Sequence, residues 1–290
     1  MMPTRVREDV LVTAPELARL LKAGLAPVLL DVRWSLSVPG SQPQNRADYA
    51  AGHIPGAIYV DLDSDLSDHA NPDPLAGRHP LPSASAFEAT VRGWGISENT
   101  PVVVYDDNAS QGAARAWWLL KWAGLHNVRV LDGGWSAWNR HGFPVSTEEP
   151  EVTPSEVTIT PGSMPVLSAD EIASLASSES GVVLDARAGE RYRGETEPLD
   201  AKAGHIPGAK NAPSTGNMNG QEFLSTEELE ERFSTLGALW GEVGVYCGSG
   251  VTACHDVLSL YLVGVDAALY PASWSGWSSD PERPVAVGEE

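Results

Sequence analysis

The stretch Tyr246-Cys247-Gly248-Ser249-Gly250-Val251-Thr252-Ala253-Cys254 lies between two apolar segments of the chain. Residues 243–246 form a short apolar run that reads as a buried strand, and residues 253–263 are apolar and long enough for a helix. Cys247 therefore stands at a strand-to-helix turn, with glycines one and three positions later. Glycine lets a loop adopt unusual backbone angles and approach a ligand closely. Such a loop can aim several N–H groups at one spot, at the positive end of the following helix. A sulfur held there is expected to be stabilised as its anion, an acidic and nucleophilic thiol. The competing reading is a structural cysteine buried before a turn, a common place for a free thiol.

The rest of the chain bounds what that loop can serve. At 290 residues it exceeds the usual size of one hydrophobic core, so two domains are expected. Its 19 basic and 39 acidic side chains give a net charge of −20, which opposes binding to nucleic acid or anionic membranes. An anionic substrate must therefore be drawn in by local positive groups. Two cysteines, Cys247 and Cys254, make no disulfide scaffold. Residues 1–10 carry charges and no apolar centre, unlike a secretory signal. No apolar run approaches the ~20 residues that span a membrane. A reduced, cytoplasmic compartment is the expectation.

Read in order, the chain alternates buried strands with helices. Thr13 caps an expected helix over 14–22 that Gly24 ends, and Val28-Leu29-Leu30-Asp31-Val32-Arg33 reads as a central parallel strand. Residues 35–46 and 64–82 are rich in turn formers and are expected to be surface loops. Residues 102–105 form another strand, 113–123 a tryptophan-rich helix, and 128–131 a further strand. Residues 144–165, rich in Pro, Thr, Ser and Glu, read as a connector with a candidate short strand at 157–159.

Then the pattern returns. Val182-Val183-Leu184-Asp185-Ala186-Arg187 repeats the segment ending at Asp31-Val32-Arg33, and Ala203-Gly204-His205-Ile206-Pro207-Gly208-Ala209 repeats residues 51–57. Residues 270–277 echo 131–138, and Cys247 falls where the first copy has Asp106. This duplication of strand–helix units implies parallel sheets covered on both faces. Because both copies carry the Gly-His-Ile-Pro-Gly segment, including the one without a thiol, His53 and His205 read as turn-ordering residues. The two Asp-x-Arg pairs read as strand-end ion pairs.

The ordered, duplicated set of Asp-x-Arg, Gly-His-Ile-Pro-Gly-Ala, cysteine-loop and tryptophan-rich segments resembles the rhodanese superfamily, specifically the tandem-domain sulfurtransferases, over nearly the whole chain. The resemblance implies an α/β fold of two tandem rhodanese-like domains, each a parallel sheet with helices on both faces. They would be an inactive domain at 1–145, a linker at 146–165 and a catalytic domain at 166–290. It implies transfer of a sulfane sulfur through a Cys247 persulfide to cyanide or a thiol acceptor, with thioredoxin as a candidate acceptor and no metal or organic cofactor. The backbone of Gly248, Ser249, Gly250, Val251 and Thr252 would cradle the persulfide. Thiosulfate-preferring relatives carry Arg and Lys after the cysteine; Gly248 and Ser249 here resemble the 3-mercaptopyruvate sulfurtransferases instead. By that resemblance Ser249, His79 and Asp63 would move protons, and Arg191 would bind the donor carboxylate. A second arginine is expected near residue 199, where the chain reads Leu199-Asp200; Arg193 and Lys202 are the nearby substitutes. Thiosulfate therefore stays open as the donor.

Three other readings compete. A phosphatase would need an arginine six positions after the cysteine, where Ala253 stands. A binding module without chemistry fits the first copy but not Cys247. A persulfide carrier for a dedicated acceptor protein shares the chemistry and differs in its partner. For Cys254, a buried helix position is favoured over a resolving thiol, and a zinc site from Cys247, Cys254 and His255 lacks paired ligand spacing.

Overall fold

A computed structural model of the protein describes residues 7–35 and 45–289. Most of the expected 35–46 loop and residues 1–6 lie outside the described residues.

Five strands form the first sheet: β1 (Leu11–Val12), β2 (Val28–Asp31), β3 (Ala57–Tyr59), β4 (Val102–Tyr105) and β5 (Val128–Leu131). They lie in the order β1-β5-β4-β2-β3, with every pairing parallel. In the second half, β6 (Gly181–Asp185) and β7 (Lys210–Asn211) are followed by a small antiparallel pair, β8 (Met218–Asn219) with β9 (Glu222–Phe223). Then come β10 (Glu242–Tyr246) and β11 (Ala268–Leu269), giving a parallel sheet in the order β11-β10-β6-β7. Val166 makes a parallel bridge to Leu269, which repeats the edge position that Leu11 holds beside Val130.

The two-residue alternation of the strands sorts their side chains onto opposite faces. Leu29, Val103 and Leu131 pack under the helices Ala14–Lys22 and Gly134–Arg140. Leu30, Val104 and Val130 face the other way, onto the helix Gln111–Trp122. The second sheet does the same: Val183 and Tyr246 face the helices Ala169–Ala176 and Ser273–Ser279, whereas Leu184 and Val245 face the helix Ala253–Leu262. The inner faces of both sheets belong to one continuous core, in which Trp117 meets Tyr261 edge-on at 5.1 Å between ring centroids. The two helices that follow the equivalent loops are thus packed against each other.

Both Asp-x-Arg pairs form the same buried fork. Arg33 Nη2 donates to Asp31 at 2.8 Å and to the Gly52 carbonyl at 2.7 Å; Arg187 Nη2 does so to Asp185 at 2.6 Å and to Gly204 at 2.7 Å. His53 and His205 stack on Tyr49 and Tyr192 at 3.9 and 3.8 Å and contact the carbonyls of the same tyrosines through Nδ1.

Two expectations need correction. Residues 64–82 are a surface loop only in part: 69–75 are exposed, but Leu66 is fully buried and His79 is 6% exposed. The segment lies against the second half, where Arg78 N donates to Ser275 Oγ at 3.0 Å and Leu75 O leaves no room for a side chain at Gly276. Residues 157–159 form no strand. They run beside the helix Ala84–Gly93, tied by Arg92 Nε to Val157 O at 2.7 Å and by Ile159 N to Glu88 at 3.1 Å.

The helix Ala253–Leu262 is anchored by a buried polar cluster. Asn217 Nδ2 donates to Asp256 at 2.6 Å and lies 3.3 Å from His255 Nδ1, while Arg232 Nε donates to Asn217 Oδ1 at 2.8 Å. Burial pushes the Asp256 carboxyl up from 3.8 to about 7 and the His255 imidazole down from 6.5 to about 3. Between pH 3.8 and about 7 the folded chain holds a proton on Asp256 that the unfolded chain has lost, so this group's contribution falls as pH rises. His255 runs the opposite way below pH 6.5, since there the unfolded chain binds the extra proton. The two largely offset each other. Asp256→Asn should therefore gain stability relative to the parent chain as pH rises from 4 to 7 and then level off. Urea denaturation across that range measures it; a constant difference would contradict the assignment.

Candidate active site

Cys247 follows β10 directly and is 2% exposed. Gly250 N donates to its Sγ at 3.2 Å. Gly250 has φ +82°, and a Cβ there would stand 2.3 Å from Pro271 O, so no other residue fits that turn. The N–H groups of Gly248, Ser249, Val251 and Thr252 find no acceptor among the described residues. Their four residues line one cleft with Cys247, a nest left open on that side.

The first half shows what such a nest holds. Asp106 follows β4 as Cys247 follows β10, and its carboxylate accepts from the N–H groups of Asn108, Ser110 and Ala113 at 3.0, 2.9 and 3.0 Å. There the loop is filled by its own anion. In the second half a thiol replaces the carboxylate and the donors are left facing the cleft.

That cleft, about 260 Å³, is lined from both halves: Trp34, Arg78 and Gln111 from the first, Arg191, Ser214 and the Cys247 loop from the second. His79 Nδ1 lies 2.7 Å from Ser249 Oγ, and His79 Nε2 lies 3.4 Å from Asp63. Ser249, His79 and Asp63, 170 positions apart at the serine–histidine step, are thus one contiguous chain. Burial pushes the His79 imidazole below its ordinary range, opposed by Asp63, and His79 in turn draws the Asp63 carboxyl down. Trp34 meets His79 edge-on at 5.8 Å.

Arg191 Nη2 donates to Glu197 at 2.7 Å and to Asp200 at 3.1 Å, leaving Nη1 above Gly248. The second guanidinium beside Gly248 comes from neither of the expected substitutes. Arg193 is paired with Glu195 at 2.7 Å, and Lys202 Nζ donates to the carbonyls of Asp280 and Arg283 at 2.7 and 3.3 Å. Instead Arg78, from the first half, pairs with Asp200 through Nη1 and turns Nη2 toward Gly248. Asp200 bridges the two arginines, and each has one N–H edge, Arg78 Nη2 and Arg191 Nη1, without a partner among the described residues.

Arg115 was not legible as a site residue. It is fully buried, has no carboxylate partner, and donates to Gly250 O and His79 O at 3.1 Å and to Leu66 O at 3.0 Å. Its signal is a charge in the apolar middle of the helix Gln111–Trp122, whose other charged residue, Lys121, lies in the last turn. Cys254 Sγ donates to the same Gly250 carbonyl at 3.3 Å, and burial pushes its thiol up to about 12, which leaves it protonated and structural. His255 is turned away, 3.2 Å from Met218 Sδ, so it forms no metal set with the cysteines.

A protein-family model for the rhodanese-like domain matches residues 13–141 and again 168–280. The chain belongs to the rhodanese family. SseB of Mycobacterium tuberculosis (strain ATCC 25618 / H37Rv), provisionally named a thiosulfate sulfurtransferase, is 46% identical over 98% of this chain and 99% of its own. A Pseudomonas aeruginosa protein provisionally named 3-mercaptopyruvate sulfurtransferase is 41% identical over 96% and 98%. The solved structure of SseA, a 3-mercaptopyruvate sulfurtransferase from Escherichia coli, superposes with a TM-score of 0.79 at 31% identity, covering 91% of this chain and 98% of that one. The tandem rhodanese architecture and the parallel, doubly covered sheets are as expected. No helix among the described residues is long and apolar enough to cross a membrane.

Removing Arg115 leaves several buried carbonyls without a donor. Arg115→Met is expected to cost about 3 kcal/mol or more of stability. At a temperature where the variant stays folded, it should also lose activity, because both His79 and the Cys247 loop are released. Denaturation and turnover measured on the same preparation check this.

Proposed function

We propose that this rhodanese-family sulfurtransferase takes its sulfur from 3-mercaptopyruvate, forms a persulfide on Cys247, and passes the outer sulfur to cyanide or a thiol. The observation that carries the choice of donor is the balanced charge of the cleft. Arg78, Arg187 and Arg191 are matched by Asp185, Glu197 and Asp200. What remains is a pair of N–H edges with little net positive charge, which suits a monocarboxylate better than the dianion of thiosulfate.

In this reading Cys247 loses its proton to Ser249 and His79 and attacks the sulfur of the donor. The S–S bond forms as the C–S bond breaks, and the pyruvate enolate that departs takes back the proton through Ser249. His79 exchanges protons at Nδ1 while Asp63 steadies Nε2. The outer sulfur releases the donor's thiol proton to solvent in the cleft, and the loop N–H groups hold the persulfide anion that results. Cyanide or a thiolate then attacks the outer sulfur and releases the Cys247 thiolate, so covalent catalysis divides the transfer into two displacements. Residues 1–145 act as the inactive partner domain, 146–165 as the connector and 166–290 as the catalytic domain. We place the reaction in the cytoplasm, with thioredoxin as the thiol acceptor; two unpaired cysteines suit a reducing compartment.

Thiocyanate formation from 3-mercaptopyruvate and from thiosulfate, side by side, tests the reading. Cys247→Ser should abolish both. Ser249→Ala should lower kcat with 3-mercaptopyruvate by about 10²–10⁴ and with thiosulfate by clearly less, because both donors need the Cys247 proton removed but leaving sulfite needs no proton on carbon. Equal losses on both donors would remove the relay. Asp200→Asn should lower KM for thiosulfate by about tenfold, as expected for one unit charge unmasked a few ångströms away. An unchanged donor preference would show that charge balance does not select the donor.

A further inference from the structure

We infer that Asp63, His69 and His79 form a regulatory site for a divalent transition metal, zinc above all, at the outer end of the proton chain. The inference rests on the Ser249–His79–Asp63 reading above and adds a ligand and a residue, His69, that the reaction does not use.

His69 Nε2 and His79 Nε2 each lie 3.4 Å from the same oxygen, Asp63 Oδ1. That is long for a hydrogen bond, for which about 2.7–3.2 Å is usual. It matches the edge of a tetrahedral zinc site, where ligands about 2.0–2.1 Å from the metal stand roughly 3.4 Å apart. One donor atom from each of the three residues lies within 4.8 Å of the others. The two imidazole rings meet at 82°, so their nitrogens converge on the carboxylate without stacking. Two imidazoles and one carboxylate form a donor set that suits zinc and leaves a fourth position for water.

Two further features point to a ligand. Ser67 is 5% exposed, and its hydroxyl has no partner, yet it lines the same open depression as Asp63 and His69. A metal-bound water would give that hydroxyl an acceptor or a donor. His79 is also oriented from behind, since its Nδ1 lies 2.7 Å from Ser249 Oγ. A ligand imidazole is commonly fixed in this way by a hydrogen bond at its other nitrogen.

Occupancy has a defined chemical consequence. A histidine that relays protons must hold one on Nε2 while Nδ1 accepts or releases another. A metal on Nε2 occupies that nitrogen and moves the ring proton to Nδ1, which then donates permanently to Ser249. No redox change is involved; the metal exchanges water for imidazole and carboxylate. Zinc at this site therefore slows the step that needs Ser249 while Cys247 stays free.

The test uses zinc chloride and the full chain. Calorimetric titration of the Cys247→Ser protein removes the competing thiolate. It should show one zinc site, and adding His69→Ala should weaken that site by roughly tenfold or more. In turnover with 3-mercaptopyruvate, His69→Ala should match the parent without metal and need about tenfold more zinc for half-inhibition. Absence of zinc binding by the Cys247→Ser protein would overturn the inference, as would zinc affinity or inhibition indifferent to His69. Failure of the relay itself would appear separately, as metal-free Ser249→Ala turnover equal to the parent's.

Discussion

Arg115 lies at the centre of the molecule with no anion to neutralise it. Its guanidinium is fully buried and is satisfied by main-chain carbonyls alone, those of Leu66, His79 and Gly250. Burial accordingly depresses its basicity. Such a placement is costly unless every N–H is used. It is tolerable here because the carbonyls it meets come from two irregular segments whose own hydrogen bonds are incomplete. One segment carries His79, the other holds Cys247, and the two belong to different halves of the chain. The interaction therefore couples the histidine to the thiol loop, and the helix-to-helix core around Trp117 and Tyr261 supplies the rigidity that keeps Arg115 there.

The duplication explains why only one of two equivalent loops is open. Both turn from a parallel strand into a helix, and both gather N–H donors at the turn. Asp106 fills its own nest with a carboxylate from the chain. Cys247 offers a smaller, softer atom that engages one N–H and leaves the others exposed to the cleft. A single exchange of residue type thus separates a structural anion site from a reactive one. The first half contributes instead through what it lends across the boundary: Arg78, His79, Asp63 and Trp34.

Much of this was readable from the chain itself. The strands were visible as apolar runs, and the two Asp-x-Arg segments announced the forks that hold Gly52 and Gly204. Because the repeated histidines occur with and without a thiol, their structural role followed before any coordinates. Within residues 64–82, the exposed stretch 69–75 is legible, but the burial of its two ends is not, because the composition is that of any exposed loop. Their burial comes from the second half, some 200 positions away, and local pattern carries no trace of a partner at that distance. Arg78 was hidden for the same reason. The chain near residue 199 offers no second arginine, whereas the fold brings Arg78 to the same cleft from the other half. Arg115 could have been suspected, since a charge amid Ala114, Ala116, Trp117 and Trp118 has to be accounted for.

Charge links these points to selectivity. With a net charge of −20 the protein repels anions at long range, so a donor is not gathered by the overall field. Near the thiol the field is nearly cancelled as well, because Asp200 bridges Arg78 and Arg191 and Glu197 takes another edge of Arg191. Recognition is then left to direction. In the proposed reading, two N–H edges aimed at one spot above Gly248 reward a planar carboxylate, and the same carboxylates that dull the attraction hold those edges in place. A site built from bare arginines would bind anions more tightly and discriminate among them less. On that proposal the acidic residues around the cleft take part in its specificity, and Asp200, paired with Arg78 of one half and Arg191 of the other, is the brace between them.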